Sequence, residues 1–118
     1  MTRTIIAVVD DLFFASKIRG TAQQLSISVS FARTKEGLIE AALQNRPALI
    51  VCDLHSQKID PIGLARELKE NHLLREIPLV GFFSHVQTEL QQAAIEAGFD
   101  RVMARSAFTK QLGELLQG

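Results

Sequence analysis

The chain has 118 residues, of which 47% are hydrophobic, so it is long enough for one domain with its own core and too apolar to be disordered. Its 13 basic residues balance 13 acidic residues, which argues against nucleic acid as a direct ligand. The single cysteine, Cys52, excludes an internal disulfide and is expected to be a small buried side chain. Apolar runs of about five residues are too short to span a membrane. No signal peptide precedes the first strand, so we expect one cytoplasmic domain over residues 1–118.

Five apolar segments alternate with segments of helical periodicity, the pattern of a parallel α/β sheet. The first, third and fourth segments are apolar nearly throughout, as expected of central strands that are covered on both faces. The second alternates apolar residues with serines from Ser26 to Ala32, which predicts a half-exposed edge strand. The five strands are predicted at residues 4–9, 27–32, 48–52, 78–83 and 101–104.

Helices are predicted in the intervening segments. Apolar residues at helical spacing predict the first at about 13–25, and a second around Leu38 that ends at Asn45-Arg46-Pro47. Asp60-Pro61 predicts the start of a third, with the Asp60 side chain as its cap. Thr88-Glu89-Leu90-Gln91 is read as a capping box that opens a fourth, which Gly98 closes. A fifth is predicted from four apolar residues at helical spacing: Phe108, Leu112, Leu115 and Leu116.

This order of elements favours a flavodoxin-like, doubly wound sheet with strand order 2-1-3-4-5 and helices on both faces. Ligands of such folds bind beyond the carboxyl ends of the first and third strands, where the direction of winding reverses. Asp10-Asp11 follow the first of these strands and Asp53 follows the third. We therefore expect three carboxylates in one concavity that suits a divalent cation, although Asp11 also precedes a helix and could simply cap it. A carboxylate beside a bound cation can act as a phosphoryl acceptor.

With this acidic triad, the chain resembles the response-regulator receiver domains of two-component signalling over essentially its whole length. Residues 94–100 also resemble the fourth helix of that family and its exit. The resemblance implies that Asp10, Asp11 and Asp53, with the backbone carbonyl of His55, hold Mg²⁺. It implies that Asp53 accepts a phosphoryl group from a histidine kinase or a histidine phosphotransfer protein, and that autodephosphorylation is the only catalysis. By the same analogy, the helix 4, strand 5 and helix 5 face, roughly residues 89–116, would contact partners or a second copy in a homodimer.

The family's hydroxyl position, after the fourth strand, is altered here. Counting from Asp53 without gaps places it on Phe83, with Ser84 one residue later. Either the fourth strand carries a local shift that presents Ser84 to the site, or the hydroxyl is absent. The aromatic switch residue of many receivers corresponds to Val102. Phe82 and Phe83 are also read as core residues of the fourth strand.

The family's lysine is replaced as well. Its position falls on Arg105, seven residues after Gly98, whereas a register that uses Ser84 would put Ser106 there; the glycine favours Arg105. A guanidinium is planar and permanently charged, and it prefers bidentate contact with an oxyanion. Arg105 would therefore hold a phosphate or lie across Asp53 as a standing salt bridge.

Two alternatives follow from these departures. In a pseudo-receiver, an Arg105–carboxylate contact would fix one conformation, and regulation would run through protein binding without phosphorylation. A small metal-dependent phosphohydrolase is disfavoured, because His55 stands where haloacid-dehalogenase enzymes carry a second aspartate. No phosphate-binding glycine loop follows Val9 either.

Some flanking residues have a modest and a functional interpretation. Lys58 is read as a solvated loop residue rather than a counter-charge to the acidic pocket. His85, at the rim of the pocket, is read as an ordinary loop histidine that is also suited to tune the site. In Leu12-Phe13-Phe14 only Phe14 fits the buried stripe of the first helix, so Leu12 or Phe13 is a candidate for contact with a partner.

Overall fold

The computed structural model describes residues 3–85 and 87–118. Its five strands form one parallel sheet in the order β2-β1-β3-β4-β5, which confirms the predicted flavodoxin-like topology. The strands are β1 (Thr4–Val8), β2 (Ser28–Phe31), β3 (Leu49–Asp53), β4 (Leu79–Phe83) and β5 (Arg101–Ala104). β2 lies at an edge and alternates exposed with half-buried residues, as predicted.

Within the described residues, six helices cover the two faces of this sheet. They are α1 (Leu12–Gln24), α2 (Lys35–Gln44), α3 (Pro61–Glu70), α4 (Thr88–Ala97), α5 (Arg105–Lys110) and α6 (Leu112–Gln117). The longest helix, α1, has 13 residues, and no described helix has the length and hydrophobicity that a bilayer crossing requires.

Successive residues of each central strand serve two separate hydrophobic cores. In β1, Ile5 and Ala7 pack with α1, α5 and α6, whereas Ile6 and Val8 pack with α2, α3 and α4. The strand is apolar at both sets of positions because both faces of the sheet are covered. Cys52 belongs to the second of these cores and is buried, as predicted; burial, with the charge of neighbouring Asp53, raises the pKa of its thiol.

Two helix starts differ in detail from the prediction. α3 begins at Pro61 after Asp60, but the Asp60 side chain makes no capping hydrogen bond, so the fixed φ of Pro61 provides the start signal. The predicted capping box is wrong: Thr88 is the first residue of α4, Gln87 is the N-cap, and no side chain of the described residues caps this helix. Thr88 already has helical geometry. Its hydroxyl is therefore not at the N-cap, where it would accept hydrogen bonds from the free N–H groups of the first turn.

The ends of α4 and of the last helical segment are also informative. Gly98 closes α4 with a left-handed φ of 119°, as predicted. The prediction of a single fifth helix is wrong, because Gln111 departs from helical geometry (φ −99°, ψ 7°) and separates α5 from α6. Phe108, Leu112 and Leu116 are nevertheless all buried on the same side of the sheet. Because the apolar stripe continues across Gln111, the periodicity of the sequence does not reveal the break between the two helices.

Candidate functional site

The predicted site residues lie at the carboxyl edge of the sheet, where β1 and β3 are neighbours. Val8, the last residue of β1, pairs with Cys52, and Asp53 ends β3. Asp10 and Asp11 follow β1 within three residues of Val8. The structure therefore brings the ends of the two acidic segments to the topological switch point, as the fold argument predicts.

Asp53 is the best-buried charged side chain in the described residues, with 9% of its surface exposed. Its Oδ1 accepts a hydrogen bond of 2.9 Å from the backbone N–H of His55. No hydrogen-bond partner of Oδ2 is present among the described residues. Burial of a carboxylate is unfavourable unless it is hydrogen-bonded, so the His55 N–H both stabilises Asp53 and fixes its orientation.

Asp10 holds the loop that follows β3. Its Oδ1 accepts from the hydroxyl of Ser56 at 2.8 Å, and its Oδ2 accepts from the backbone N–H of Gln57 at 2.8 Å. Partial burial by itself raises the pKa of Asp10, but the hydrogen bonds from Gln57 and Ser56, with the N–H and charge of Lys58, bring it below its ordinary value. The Lys58 side chain is exposed, as predicted for a loop residue, yet its charge acts on Asp10. Sequence reasoning missed the roles of Ser56 and Gln57.

Asp11 caps α1, which confirms the capping interpretation for this residue. Its Oδ1 accepts from the N–H groups of Phe13 at 2.9 Å and of Phe14 at 3.3 Å. Its Oδ2 lies 3.1 Å from Nη2 of Arg105. The hydrogen bond from Arg105, followed by that from the Phe14 N–H, lowers the pKa of Asp11.

Arg105, the first residue of α5, contacts Asp11 in the segment between β1 and α1, and it does not contact Asp53. Besides its ion pair with Asp11, its guanidinium carbon lies 4.0 Å from the ring centre of Phe14. A standing salt bridge across Asp53, one of the two alternatives given for Arg105, is therefore absent from the described residues. α1 and α5 pack on the same face of the sheet, and the Phe14 ring gives the guanidinium a platform beside Asp11.

The two candidates for the hydroxyl position, Phe83 and Ser84, lie at and just beyond the end of β4. Phe83 is buried and pairs with Ala104 of β5, and Phe82 is also buried, so both phenylalanines belong to the core as predicted. Ser84 lies beyond the strand and is exposed. Its hydroxyl makes no hydrogen bond within residues 3–85 and 87–118. A role for Ser84 in the reaction stays a prediction.

Two histidines meet at the rim of the site, which sequence reasoning also missed. The rings of His55 and His85 have centres 5.8 Å apart and an interplanar angle of 67°. His55 follows the end of β3 by two residues and His85 follows the end of β4 by two, and these strands are neighbours in the sheet. This matched spacing is the sequence signal that would have predicted the contact.

The acidic residues, as placed, do not fit the predicted Mg²⁺ ligand set. Both oxygens of Asp10 and both oxygens of Asp11 accept hydrogen bonds from the protein itself. Within the part of the chain that the structure describes, no three His, Cys, Asp or Glu residues are arranged to hold a metal ion. The assignment of Asp10, Asp11, Asp53 and the His55 carbonyl to a metal therefore stays a prediction.

This chain is similar to known proteins in its three-dimensional structure. No protein-family profile and no curated protein sequence matches it. Many solved structures match, including a putative response regulator from Chloroflexus aurantiacus, with a TM-score of 0.86 at 20% identity over 99% of this chain and 96% of that one. The phosphorylated cyanobacterial phytochrome response regulator RcpA matches with a TM-score of 0.82 at 20% identity over 100% and 91% of the two chains.

A third match, the Mn²⁺-bound form of response regulator Rcp1, has a TM-score of 0.78 at 22% identity and covers 98% of this chain and 90% of that one. The metal is a property of that protein and not of this chain. At such low identities, the likeness concerns the backbone arrangement. The matches extend over nearly the whole length of both chains. This chain therefore has the fold of the response-regulator receiver domains.

Proposed function

We propose that this protein is a receiver-type signalling module that accepts a phosphoryl group on Asp53 and acts through protein–protein contacts. The observation that carries the proposal is the state of Asp53. It is a carboxylate with 9% exposure at the switch point of the sheet, with Oδ1 held by the His55 N–H and Oδ2 without a partner in the described residues. An oriented carboxylate with one oxygen left for an incoming group is what a nucleophilic acceptor requires.

The reaction is a transfer from a phosphohistidine of a histidine kinase or a phosphotransfer protein. Oδ2 of Asp53 forms a bond to phosphorus while the bond between phosphorus and the donor's imidazole nitrogen breaks, and that nitrogen keeps the electron pair. Attack of water on the acyl phosphate later restores Asp53 and releases inorganic phosphate. This autodephosphorylation is the only catalysis that we propose, and we do not assign the protein to the enzymes.

Charge on the transferred oxygens needs a positive or N–H partner in such a reaction. By its position after β5, Arg105 is the cationic side chain that would stabilise this charge. Its guanidinium is, however, paired with Asp11 and lies over the Phe14 ring. It would have to exchange partners before it could contact a phosphoryl group on Asp53. We therefore expect phosphorylation to be slow compared with that of receivers that carry a free lysine.

The test is the intact mass of the purified chain after incubation with acetyl phosphate, with and without Mg²⁺. Three proteins are compared: the wild type, Asp53→Asn and, as a matched control, Asp60→Asn. Asp60 is exposed and makes no capping hydrogen bond. One added phosphoryl group in the wild type and in Asp60→Asn, absent from Asp53→Asn, supports the proposal. No adduct in any of the three contradicts it.

The contact between Arg105 and Asp11 favours a second candidate, a phosphorylation-independent pseudo-receiver. In this alternative the ion pair and the stacking on Phe14 hold α5 against α1 in one conformation, and partners recognise that conformation. Amide hydrogen exchange discriminates between the two candidates. The pseudo-receiver predicts that Arg105→Ala loosens α1 and α5 while Asp53→Asn leaves their exchange unchanged, and it requires the absence of a phosphoryl adduct.

We further propose that the face formed by α4, β5 and α5 contacts a partner or a second copy of this chain. Ile95 of α4 is a large apolar residue with 55% of its surface exposed, and the β5 residues Val102 and Met103 are half-buried. Sedimentation of the wild type and of Ile95→Asp tests the homodimer. A dimer that the variant loses supports it, and a monomer at all concentrations leaves this surface to a different protein.

A further inference from the structure

The pair of imidazoles at the rim lies apart from the carboxylate contacts described above. His55 belongs to the loop between β3 and α3, and His85 belongs to the loop between β4 and α4. His85 is exposed, whereas Nε2 of His55 is buried and has no hydrogen-bond partner in the described residues. A buried polar atom without a protein partner is rare in proteins, so Nε2 of His55 is a candidate ligand atom.

The separation of the two rings fits a shared metal ion. Two imidazoles that bind one ion, each at a nitrogen–metal distance of about 2.1 Å, have ring centres roughly 5–6 Å apart. The centres of His55 and His85 are 5.8 Å apart. The separation of the two ring centres therefore allows one ion to bind a nitrogen of each imidazole.

We propose that His55 and His85 form a binding site for a transition-metal ion of the zinc or nickel class. Neutral imidazole nitrogen is a preferred ligand of Zn²⁺ and Ni²⁺, whereas Mg²⁺ selects oxygen. No third His, Cys, Asp or Glu in residues 3–85 and 87–118 completes a metal-binding group, so water fills the remaining positions. The two imidazole side chains are distinct from the Asp53 carboxylate that accepts the phosphoryl group and from the side chains predicted to hold Mg²⁺.

Such an ion would connect two loops that border Asp53 on one side. The backbone N–H of His55 already holds Oδ1 of Asp53, so fixing the His55 ring also fixes this hydrogen bond. An ion held by both rings therefore restricts the approach of a large donor to Asp53 while it leaves the carboxylate itself unliganded. The expected consequence is a metal-dependent change in the exchange of loop amides, with no change in the helices on the other face.

The experiment is a competition for Zn²⁺ between the untagged chain and a chromophoric indicator. The chain contains three histidines, so His72→Gln, outside the pair and exposed, is a matched control for His85→Gln. His55→Phe keeps an aromatic ring at the partly buried position and removes both nitrogens. Asp53→Asn separates a site built from imidazoles from one built in the acidic pocket.

We expect the wild type, His72→Gln and Asp53→Asn to bind one Zn²⁺ with equal affinity, and excess Mg²⁺ to leave this binding unchanged. His85→Gln and His55→Phe should each weaken it by more than about tenfold, since loss of an outer-shell partner alone already weakens metal sites by roughly that factor. Circular dichroism of each variant checks that it is folded. The absence of Zn²⁺ binding in the wild type, equal binding in His85→Gln, or loss of binding in Asp53→Asn would each overturn the proposal.

Discussion

Arg105 and Asp11 join the two ends of the chain at the carboxyl edge of the sheet. Nη2 of Arg105 lies 3.1 Å from Oδ2 of Asp11, and 94 residues separate them in the sequence. The guanidinium also lies over the Phe14 ring, so it connects the first residue of α5 with the first turn of α1. Loss of this side chain therefore removes two contacts between elements that pack on the same face.

Arg105→Ala should destabilise the protein by about 1 kcal/mol, most of it from the cation–π contact with Phe14. The ion pair adds little, since both side chains are partly exposed to solvent and salt. Arg105→Lys should be intermediate, because an ammonium keeps the charge but cannot lie flat on the ring. The measurement is the free energy of unfolding in urea at pH 7.

Arg33→Ala is the matched control, because Arg33 is exposed and makes no ion pair among the described residues. Its unfolding free energy should stay within about 0.5 kcal/mol of the wild type. Equal stabilities of the Arg105→Ala and Arg33→Ala variants would show that the contact to α1 is not maintained in solution.

Asp10 should make stability depend on pH in the acidic range. Its folded-state pKa lies below its ordinary value of 3.8. The unfolded chain therefore binds the proton more readily, so the contribution of Asp10 is present above that value and is lost as the pH falls through the folded-state pKa. The difference in unfolding free energy between the wild type and Asp10→Asn should shrink as the pH falls below about 4. A difference that is constant from pH 7 to pH 2.5 would contradict this expectation.

The position of the site was predictable, whereas the side-chain partners within it were not. Apolar runs that alternate with helical segments constrain the topology, and a doubly wound sheet has its binding edge beyond β1 and β3. Asp10 and Asp53 stand at the ends of those strands, so their positions could be predicted without knowing how the loops fold. The hydrogen bond from Ser56 to Asp10 depends on how the loop after β3 folds, which no local pattern encodes.

The partner of the Arg105 side chain was unpredictable from the sequence for the same reason. Its charge and its place after β5 predicted a carboxylate partner. Two segments with aspartates, at the ends of β1 and β3, lie at the same edge of the sheet. The choice of Asp11 depends on the Phe14 ring beside it, a contact between α1 and α5 that appears only when both helices are packed on the sheet. Periodicity failed in a similar way at Gln111, where the chain leaves helical geometry without any change in the apolar stripe.

Gly98 should tolerate no side chain. It has a φ of 119°, and a Cβ atom added there would meet Cγ of Lys69. Gly98→Ala is therefore expected to destabilise the protein by more than about 1 kcal/mol, because a left-handed conformation is unfavourable for alanine even without a clash. The comparison is Gly113→Ala in α6, where an added Cβ meets nothing within 4 Å. That change should stabilise by about 0.5–1 kcal/mol, and opposite signs in urea unfolding are the expected result.

Phe13 and Phe14 are adjacent in α1 and should behave in opposite ways. Phe14 is 5% exposed and its ring centre lies 5.1 Å from that of Phe82 and 5.9 Å from that of Phe108, whereas Phe13 is 90% exposed. Phe14→Ala should therefore cost about 3–5 kcal/mol by cavity formation, and Phe13→Ala should change stability by less than about 0.5 kcal/mol.

The same pair tests whether the exposed apolar residues of α1 contact a partner. Leu12, with 79% exposure, lies beside Phe13 at the start of the helix that Asp11 caps. If a phosphoryl donor docks there, Phe13→Ala should slow transfer from a phosphorylated donor protein but leave phosphorylation by acetyl phosphate unchanged, because the small donor needs no protein contact. Equal slowing with both donors would mean that the substitution disturbs Asp53 itself, and no slowing with either would remove this surface from the donor interface.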